Sequence, residues 1–254
     1  MVGAQDASPW QGDARSAIRL IAGAPRKDGA VLRAGIEIKL QPGWKTYWRY
    51  PGDSGVPPRF DFAASDNIKS VFVLWPAPER FFDGAGGASI GYGRDVILPL
   101  RIVPRDASCA VTLRLKLDYA VCEKLCVPVD ATAELALFGA KTSQDLAIAA
   151  AEARVPKPAA IGEGSTLSIR SVRRNARRVI VDVSARSRVD LFAEGPGPDW
   201  ALPLPQSVAG APQGMQRFAF ELDGLPPGAK PEGAVLKLTA VAGTEAIEVP
   251  AHLD

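Results

Sequence analysis

One stretch of the sequence decides the fold: Leu117-Asp-Tyr-Ala-Val-Cys-Glu-Lys-Leu-Cys-Val-Pro-Val-Asp130. It joins two segments in which apolar residues take the odd positions, from Val111 to Val121 and from Val127 to Leu137. A period of two is typical of a half-buried β-strand. The stretch therefore predicts a β-hairpin with a tight turn, in which Cys122 and Cys126 lie at the two ends of the turn.

Both cysteines share the even parity of the polar residues, which predicts that they lie on the solvent side of the hairpin. Three intervening residues can bring the Cα atoms to the separation of roughly 4.4–6.8 Å that a disulfide needs. Closing so short a loop stabilises the fold by only about 2 kcal/mol. Because small, exposed rings tend to be labile, such a bond is better suited to redox exchange than to holding the fold together.

The residues alone leave other interpretations open. Lys124 favours a nearby thiolate and Glu123 opposes it, so charge does not decide which sulfur is the nucleophile. The pair could also form a merely structural disulfide, or hold Cu(I) or half of a zinc site. The only histidine is His252 and the methionines are Met1 and Met215, which disfavours a metal role. Two unpaired, buried thiols are disfavoured by the polar parity.

Composition narrows the class of protein. The chain has 254 residues and a net charge of +2, which gives no support for binding to nucleic acid or to an anionic membrane. No run of apolar residues is long enough to predict a transmembrane helix. The 24 glycines and 22 prolines, together with short alternating segments, predict an all-β protein with many turns.

The length and the pattern predict two domains. Residues 1–140 form a β-sandwich that carries the cysteine pair, and residues 159–254 form a second β-sandwich without a cluster of titratable groups. Between them, residues 141–158 are alanine-rich and end in prolines, which predicts a short helical linker. The basic cluster at residues 173–178 is expected to be a solvated hairpin turn rather than a nucleic-acid site.

Three further features lie outside the hairpin. The aromatic, glycine-rich segment 43–55 is either a strand that enters a long surface loop, with its rings packed on the edge of the core, or a loop that lies against the redox hairpin or a partner. The glycine-rich loop at residues 79–93 carries apolar rings that need a surface to cover. Cys109 is in phase with Val111 and is expected to be a buried free thiol.

Three segments together show a resemblance to a known family: residues 42–55, residues 90–99 and residues 119–128. In combination they resemble the N-terminal periplasmic region of the DsbD thiol:disulfide interchange family. They are most similar to the branch that contains the suppressor-of-copper-sensitivity protein ScsB. The motifs cover about residues 30–140, and residues 190–195 extend the similarity loosely to the rest of the chain.

The resemblance implies two immunoglobulin-like β-sandwiches and a protein-disulfide reductase whose redox-active pair is Cys122 and Cys126. It implies no organic cofactor. The pair would accept electrons from a membrane-embedded thiol relay domain and pass them to periplasmic thioredoxin-fold or disulfide isomerase-like proteins. An aromatic loop covers the cysteines in related domains, which makes cap or partner-contact candidates of Phe81, Phe82 and Tyr92. Lys124, which lies between the two cysteines, is a further candidate.

The resemblance also implies a periplasmic location. Val2-Gly3-Ala4 before Gln5 is similar to the small-residue tail of an export-signal cleavage site. We therefore expect Met1 to stand where an export signal was removed. The alternative function is copper tolerance, in which the chain holds Cu(I) between Cys122 and Cys126.

Overall fold

The computed structural model describes residues 6–24, 31–82, 87–137 and 143–254; the expected cleavage-site residues lie outside these ranges. Within them the secondary-structure elements follow in this order: β1 (Gln11–Gly12), β2 (Ser16–Ala22), β3 (Leu32–Leu40), β4 (Lys45–Gly52), β5 (Arg59–Asp61), β6 (Ile68–Val73), β7 (Glu79–Phe82), β8 (Ala88–Tyr92), β9 (Val96–Pro104), β10 (Val111–Cys122), β11 (Cys126–Leu137), α1 (Asp145–Ala153), β12 (Lys157–Pro158), β13 (Leu167–Asn175), β14 (Arg178–Ala185), β15 (Asp190–Glu194), β16 (Gln206–Val208), β17 (Met215–Glu221), β18 (Val235–Ala242) and β19 (Glu245–His252).

The strands form four sheets, divided between two compact units. Nearly all of the regular structure is strand, so the prediction of an all-β chain of two sandwiches with a short helix between them is confirmed. The first unit comprises Met1–Pro51, Gly55–Glu79 and Ile90–Val155. The second comprises Gly52–Ser54, Arg80–Ser89 and Pro156–Asp254.

The first unit is built on a five-stranded sheet, β1-β2-β3-β9-β6, and on neighbouring strands of a second sheet in the order β11-β10-β4-β8, with β5 paired to β10. Alternate residues of β10 point inward, and Leu113 and Leu117 are fully buried. The two sheets are also joined by a buried hydrogen bond of 2.9 Å between the hydroxyls of Ser16 on β2 and Tyr119 on β10. The alternation that predicted the strands therefore supplies the core.

Helix α1 belongs to the first unit. Its Ile148 is fully buried, and Asp145 and Glu152 both accept hydrogen bonds from the guanidinium of Arg33 on β3. The predicted helical linker 141–158 is thus divided between the units, since β12 pairs in parallel with β19 of the second unit. Residues 141 and 142 lie outside the described ranges. No helix in the described part of the chain has the length and hydropathy to cross a membrane.

The second unit packs the sheet β12-β19-β18-β15 and the sheet β13-β14-β17-β16 around an apolar core. The basic cluster 173–178 lies at the turn between β13 and β14, as predicted, with Asn175 opposite Arg178. Ala176 occupies this turn with a positive φ of 52°.

The short segment Arg80–Ser89 belongs to the second unit, and the side chain of Arg80 contacts that unit. The buried guanidinium of Arg80 donates to the carbonyl oxygens of Leu191 at 2.8 Å and Pro205 at 3.1 Å. It also lies 5.7 Å from the ring centroid of Phe192. Arg80 therefore anchors a segment that comes from within the predicted first domain.

A buried carboxylate stabilises the sheet that contains β14. Asp182 accepts hydrogen bonds from Arg217 at 2.6 and 3.0 Å, from Arg173 at 2.7 Å and from Ser171 at 3.1 Å. The hydrogen bonds from Arg217 are the main reason that the pKa of Asp182 lies below its usual value. A depressed pKa means that the charged form stabilises the fold above the unfolded-state pKa, and that this contribution is lost in acid.

Asp182→Asn is therefore expected to lower the free energy of unfolding by about 2 kcal/mol at neutral pH, because charge-assisted hydrogen bonds are lost. The difference from the unsubstituted protein should be constant above about pH 4 and shrink as the pH falls further. Calorimetry of the full chain measures both. The matched control is Asp223→Asn, which breaks an exposed ion pair with Arg177 and should cost less than about 1 kcal/mol. Equal effects of the two substitutions would contradict the assignment.

Candidate functional site

The hairpin of β10 and β11 places the two cysteines. The strands pair antiparallel from Val111 opposite Leu137 to Cys122 opposite Cys126, without a register shift. The last pair is joined by a disulfide, with the two Cα atoms 4.2 Å apart. The structure therefore shows the predicted strand, tight turn and strand, with the cysteines directly opposite each other at its tip.

The two sulfurs differ in exposure. Cys126 is exposed, because β11 is the edge strand of its sheet. Cys122 is only 2 % exposed, because β10 lies between β11 and β4 and the pairing with β4 reaches Cys122 itself, opposite Lys45. The prediction that both cysteines lie on the solvent side is thus wrong for Cys122. Strand parity could not show that both faces are covered at this end of the strand.

A tyrosine contacts both sulfurs. The hydroxyl of Tyr47 on β4 lies 2.7 Å from Sγ of Cys122 and 3.1 Å from Sγ of Cys126. Disulfide sulfurs carry no hydrogen, so the phenol is the donor. Tyr47 is buried, and burial raises its pKa, so the hydroxyl keeps its proton at neutral pH. The segment 43–55 therefore begins as a strand with buried rings, and one of these rings, that of Tyr47, lies against the redox hairpin.

Gly55 allows the chain to close over the tyrosine ring. A Cβ atom at this position would lie 2.6 Å from Cδ1 of Tyr47 and 2.4 Å from Cβ of Pro51. Both distances are shorter than real Cβ contacts, so any larger residue would push the ring or the loop aside. The glycine thus helps to hold the phenol at the sulfurs.

This arrangement suits thiol–disulfide chemistry. When the bond opens, the phenol can donate to a thiolate, and a charge-assisted hydrogen bond is stronger than the bond to a neutral sulfur. A donor to the charged form lowers the pKa of a thiol. An exposed sulfur gives a partner access, and a buried sulfur with its own donor is suited to leave as a thiolate.

The other predicted site residues lie in different places. Lys124 is exposed in the hairpin turn. Phe81 is half-buried and Phe82 is 67 % exposed; both belong to the second unit, through the segment Arg80–Ser89. Tyr92 is buried in β8, where its hydroxyl donates to the carbonyl oxygen of Pro76 at 2.8 Å. Residues 83–86 of the predicted cap loop lie outside the described ranges.

Cys109 was expected to be buried, and this is wrong: its thiol is free and exposed. It lies in a turn before β10 begins at Val111, where its backbone N–H donates to the carbonyl oxygen of Asp106. The parity of a strand does not extend into the preceding turn.

The copper alternative depends on the two sulfurs alone. In the part of the chain that the structure describes, no group of three or more His, Cys, Asp or Glu side chains could hold a metal ion. Two thiolates are sufficient ligands for Cu(I), so this alternative stays a prediction.

Residues 17–137, which include the hairpin and its two cysteines, match the family described as "Thiol:disulfide interchange protein DsbD, N-terminal". This part of the chain belongs to the DsbD N-terminal family. No curated protein sequence matches the chain.

The fold agrees with the DsbD assignment over the whole chain. The N-terminal periplasmic domain of ScsB from Proteus mirabilis is similar with a TM-score of 0.76 and 19% identity, covering 98% of this chain and 99% of that one. A marsupial T cell receptor has a TM-score of 0.26 at 9% identity, with 99% of each chain covered, which is too low to support an inference.

The tyrosine at the sulfurs gives a testable prediction. Tyr47→Phe should raise the pKa of the Cys122 thiol in the reduced protein by about one to two pH units, because a hydrogen bond to a charged group contributes about 1.5–3 kcal/mol. The pH dependence of alkylation of Cys122 by iodoacetamide, resolved from that of Cys126 by mass spectrometry in a Cys109→Ser background, reports this pKa.

Tyr119→Phe is the matched control, since it removes a buried phenol whose partner is Ser16 rather than a sulfur. It should leave the alkylation profile unchanged. Identical profiles for Tyr47→Phe and the unsubstituted protein would show that the phenol does not stabilise the thiolate.

Proposed function

We propose that this chain is a periplasmic thiol–disulfide exchange module. It accepts electrons from a membrane-embedded thiol relay domain and passes them to envelope proteins of the thioredoxin-fold or disulfide isomerase-like type. In that direction it acts as a protein-disulfide reductase without an organic cofactor. The observation that carries the proposal is the disulfide at the hairpin tip, with one exposed cysteine, one buried cysteine and a phenol hydroxyl within hydrogen-bond distance of both sulfurs.

Membership of the DsbD N-terminal family supports exchange chemistry in general, because the matched residues include both cysteines. The ScsB domain, which is periplasmic by its description, has the same fold across the whole chain. The likeness supports a periplasmic location for this chain and a role for the second unit in the same module.

We infer the roles of the two sulfurs from the exposure of the two cysteines. A thiolate of the donor attacks Sγ of Cys126 in line with the disulfide bond, because Cys122 is buried and Cys126 is exposed. The Cys122–Cys126 bond breaks, Cys122 leaves as a thiolate that accepts from the hydroxyl of Tyr47, and a mixed disulfide forms between Cys126 and the donor.

The second thiolate of the donor then attacks the donor's own sulfur in the mixed disulfide. Cys126 leaves as a thiolate, the donor is oxidised to a disulfide, and this chain has gained two electrons. The same steps in reverse reduce an acceptor: the Cys126 thiolate attacks the acceptor disulfide, and Cys122 resolves the mixed disulfide by re-forming the bond to Cys126.

Trapping tests this assignment. In a Cys109→Ser background, which removes the exposed third thiol, Cys122→Ser leaves only the accessible sulfur and cannot resolve a mixed disulfide. Incubation with a periplasmic extract should therefore yield adducts that a reductant releases and that mass spectrometry identifies as thioredoxin-fold proteins.

The companion variant Cys126→Ser keeps only the buried sulfur and should trap far less protein. A higher yield from Cys126→Ser would reverse the roles of the sulfurs. No reducible adduct from either variant would contradict the exchange function.

The cap role of Phe81 and Phe82 stays a prediction. If these rings shield the reduced pair, changing both to Ala should speed the reaction of the pair with a small thiol reagent. Phe72→Ala is the matched control, since it removes an exposed ring, 56% accessible, from β6 of the first unit. Unchanged rates for the double variant would count against a cap.

A further inference from the structure

The last residue of the hairpin turn is an unusually exposed apolar side chain. Leu125 precedes Cys126 directly and is 79% exposed. Among the described residues, only Leu146 on α1 is a more exposed large apolar side chain. An isolated exposed leucine needs no explanation, but this one adjoins the sulfur that a partner must reach.

The exchange reaction forces a partner onto this residue. In a mixed disulfide the two sulfurs are bonded at about 2.05 Å, so the protein surface around the partner's cysteine must cover the neighbours of Cys126. Leu125 is the nearest large apolar side chain in sequence, and nothing of its own fold buries it. Covering it removes apolar surface from water in the same step that brings the sulfurs together.

The two remaining residues of the hairpin turn, Glu123 and Lys124, are both exposed and opposite in charge. The turn therefore offers a partner no net charge, and apolar contact is its distinguishing feature.

We propose that the exposed side chain of Leu125 is an apolar docking surface beside Cys126. Its occupant is a protein of the thioredoxin-fold type whose reactive cysteine is flanked by apolar side chains. The inference rests on the proposed exchange function and names the recognition element of the same site. A small charged thiol does not use this surface, because it reaches Cys126 without covering Leu125.

The test compares a protein thiol with a small one. Reduced thioredoxin and reduced glutathione each serve as reductant, and the rate constant for opening the Cys122–Cys126 bond is measured by mass spectrometry in a Cys109→Ser background. Leu125→Ser should slow the reaction with thioredoxin about tenfold, as expected for loss of an apolar contact at an interface, and leave glutathione within about twofold. Leu125→Met should restore the thioredoxin rate.

Leu146→Ser is the matched control, because it makes the same change at an equally exposed leucine in the same unit. It should leave both rates unchanged. An unchanged thioredoxin rate in Leu125→Ser, or equal slowing with both reductants, would overturn the docking surface. A thioredoxin rate no greater than that of glutathione in the unsubstituted protein would also overturn it, with exchange itself still standing.

A bond that neither reductant opens in the folded protein would be a different failure. It would overturn the proposed exchange function and the docking surface together. The two failures are thus distinguished by glutathione, which tests the chemistry of the sulfurs without the surface.

Discussion

The register of the hairpin formed by β10 and β11 is the constraint on which the site depends. Because side chains alternate along a strand, a slip of one residue would turn Leu113 and Leu117 out of the core and also separate the two cysteines. The packing of these leucines in the core thus also holds the two sulfurs in contact, several residues further along the same hairpin. Closing so short a loop contributes only about 2 kcal/mol to stability, so we expect the bond to open without loss of the fold.

The position of each strand in its sheet gives the two sulfurs different environments. An edge strand exposes Cys126, and a strand with neighbours on both sides buries Cys122. Tyr47 comes from the neighbour that completes the burial, so the same pairing that hides one sulfur also supplies its hydrogen-bond donor. The arrangement of β11, β10 and β4 therefore gives a partner access to Cys126 and also stabilises Cys122 when it leaves as a thiolate.

The sequence predicted what depends on local period: the strands, the hairpin, the all-β class and the two cysteines at the tip. It could not predict what depends on the neighbouring strands. The burial of Cys122 and the contact with Tyr47 arise because β10 pairs with β4. Tyr47 lies 75 residues before Cys122 in the sequence, so no local pattern could show this contact. The aromatic residues of segment 43–55 indicated a possible contact with the hairpin, but their spacing does not distinguish Tyr47 from the rings beside it. Cys109 was placed wrongly because the strand begins two residues after it.

The most direct test of the central claim is a pair of amide NMR spectra recorded in glutathione buffers that hold the pair oxidised and then reduced. We expect the bond to open and close reversibly, with shift changes confined to residues 45–56 and 119–128 and the rest of the sandwich unchanged. Resistance of the bond to reduction in the folded protein would contradict the account. Spectral changes throughout the first unit on reduction would also contradict it, because the disulfide would then be holding the fold together.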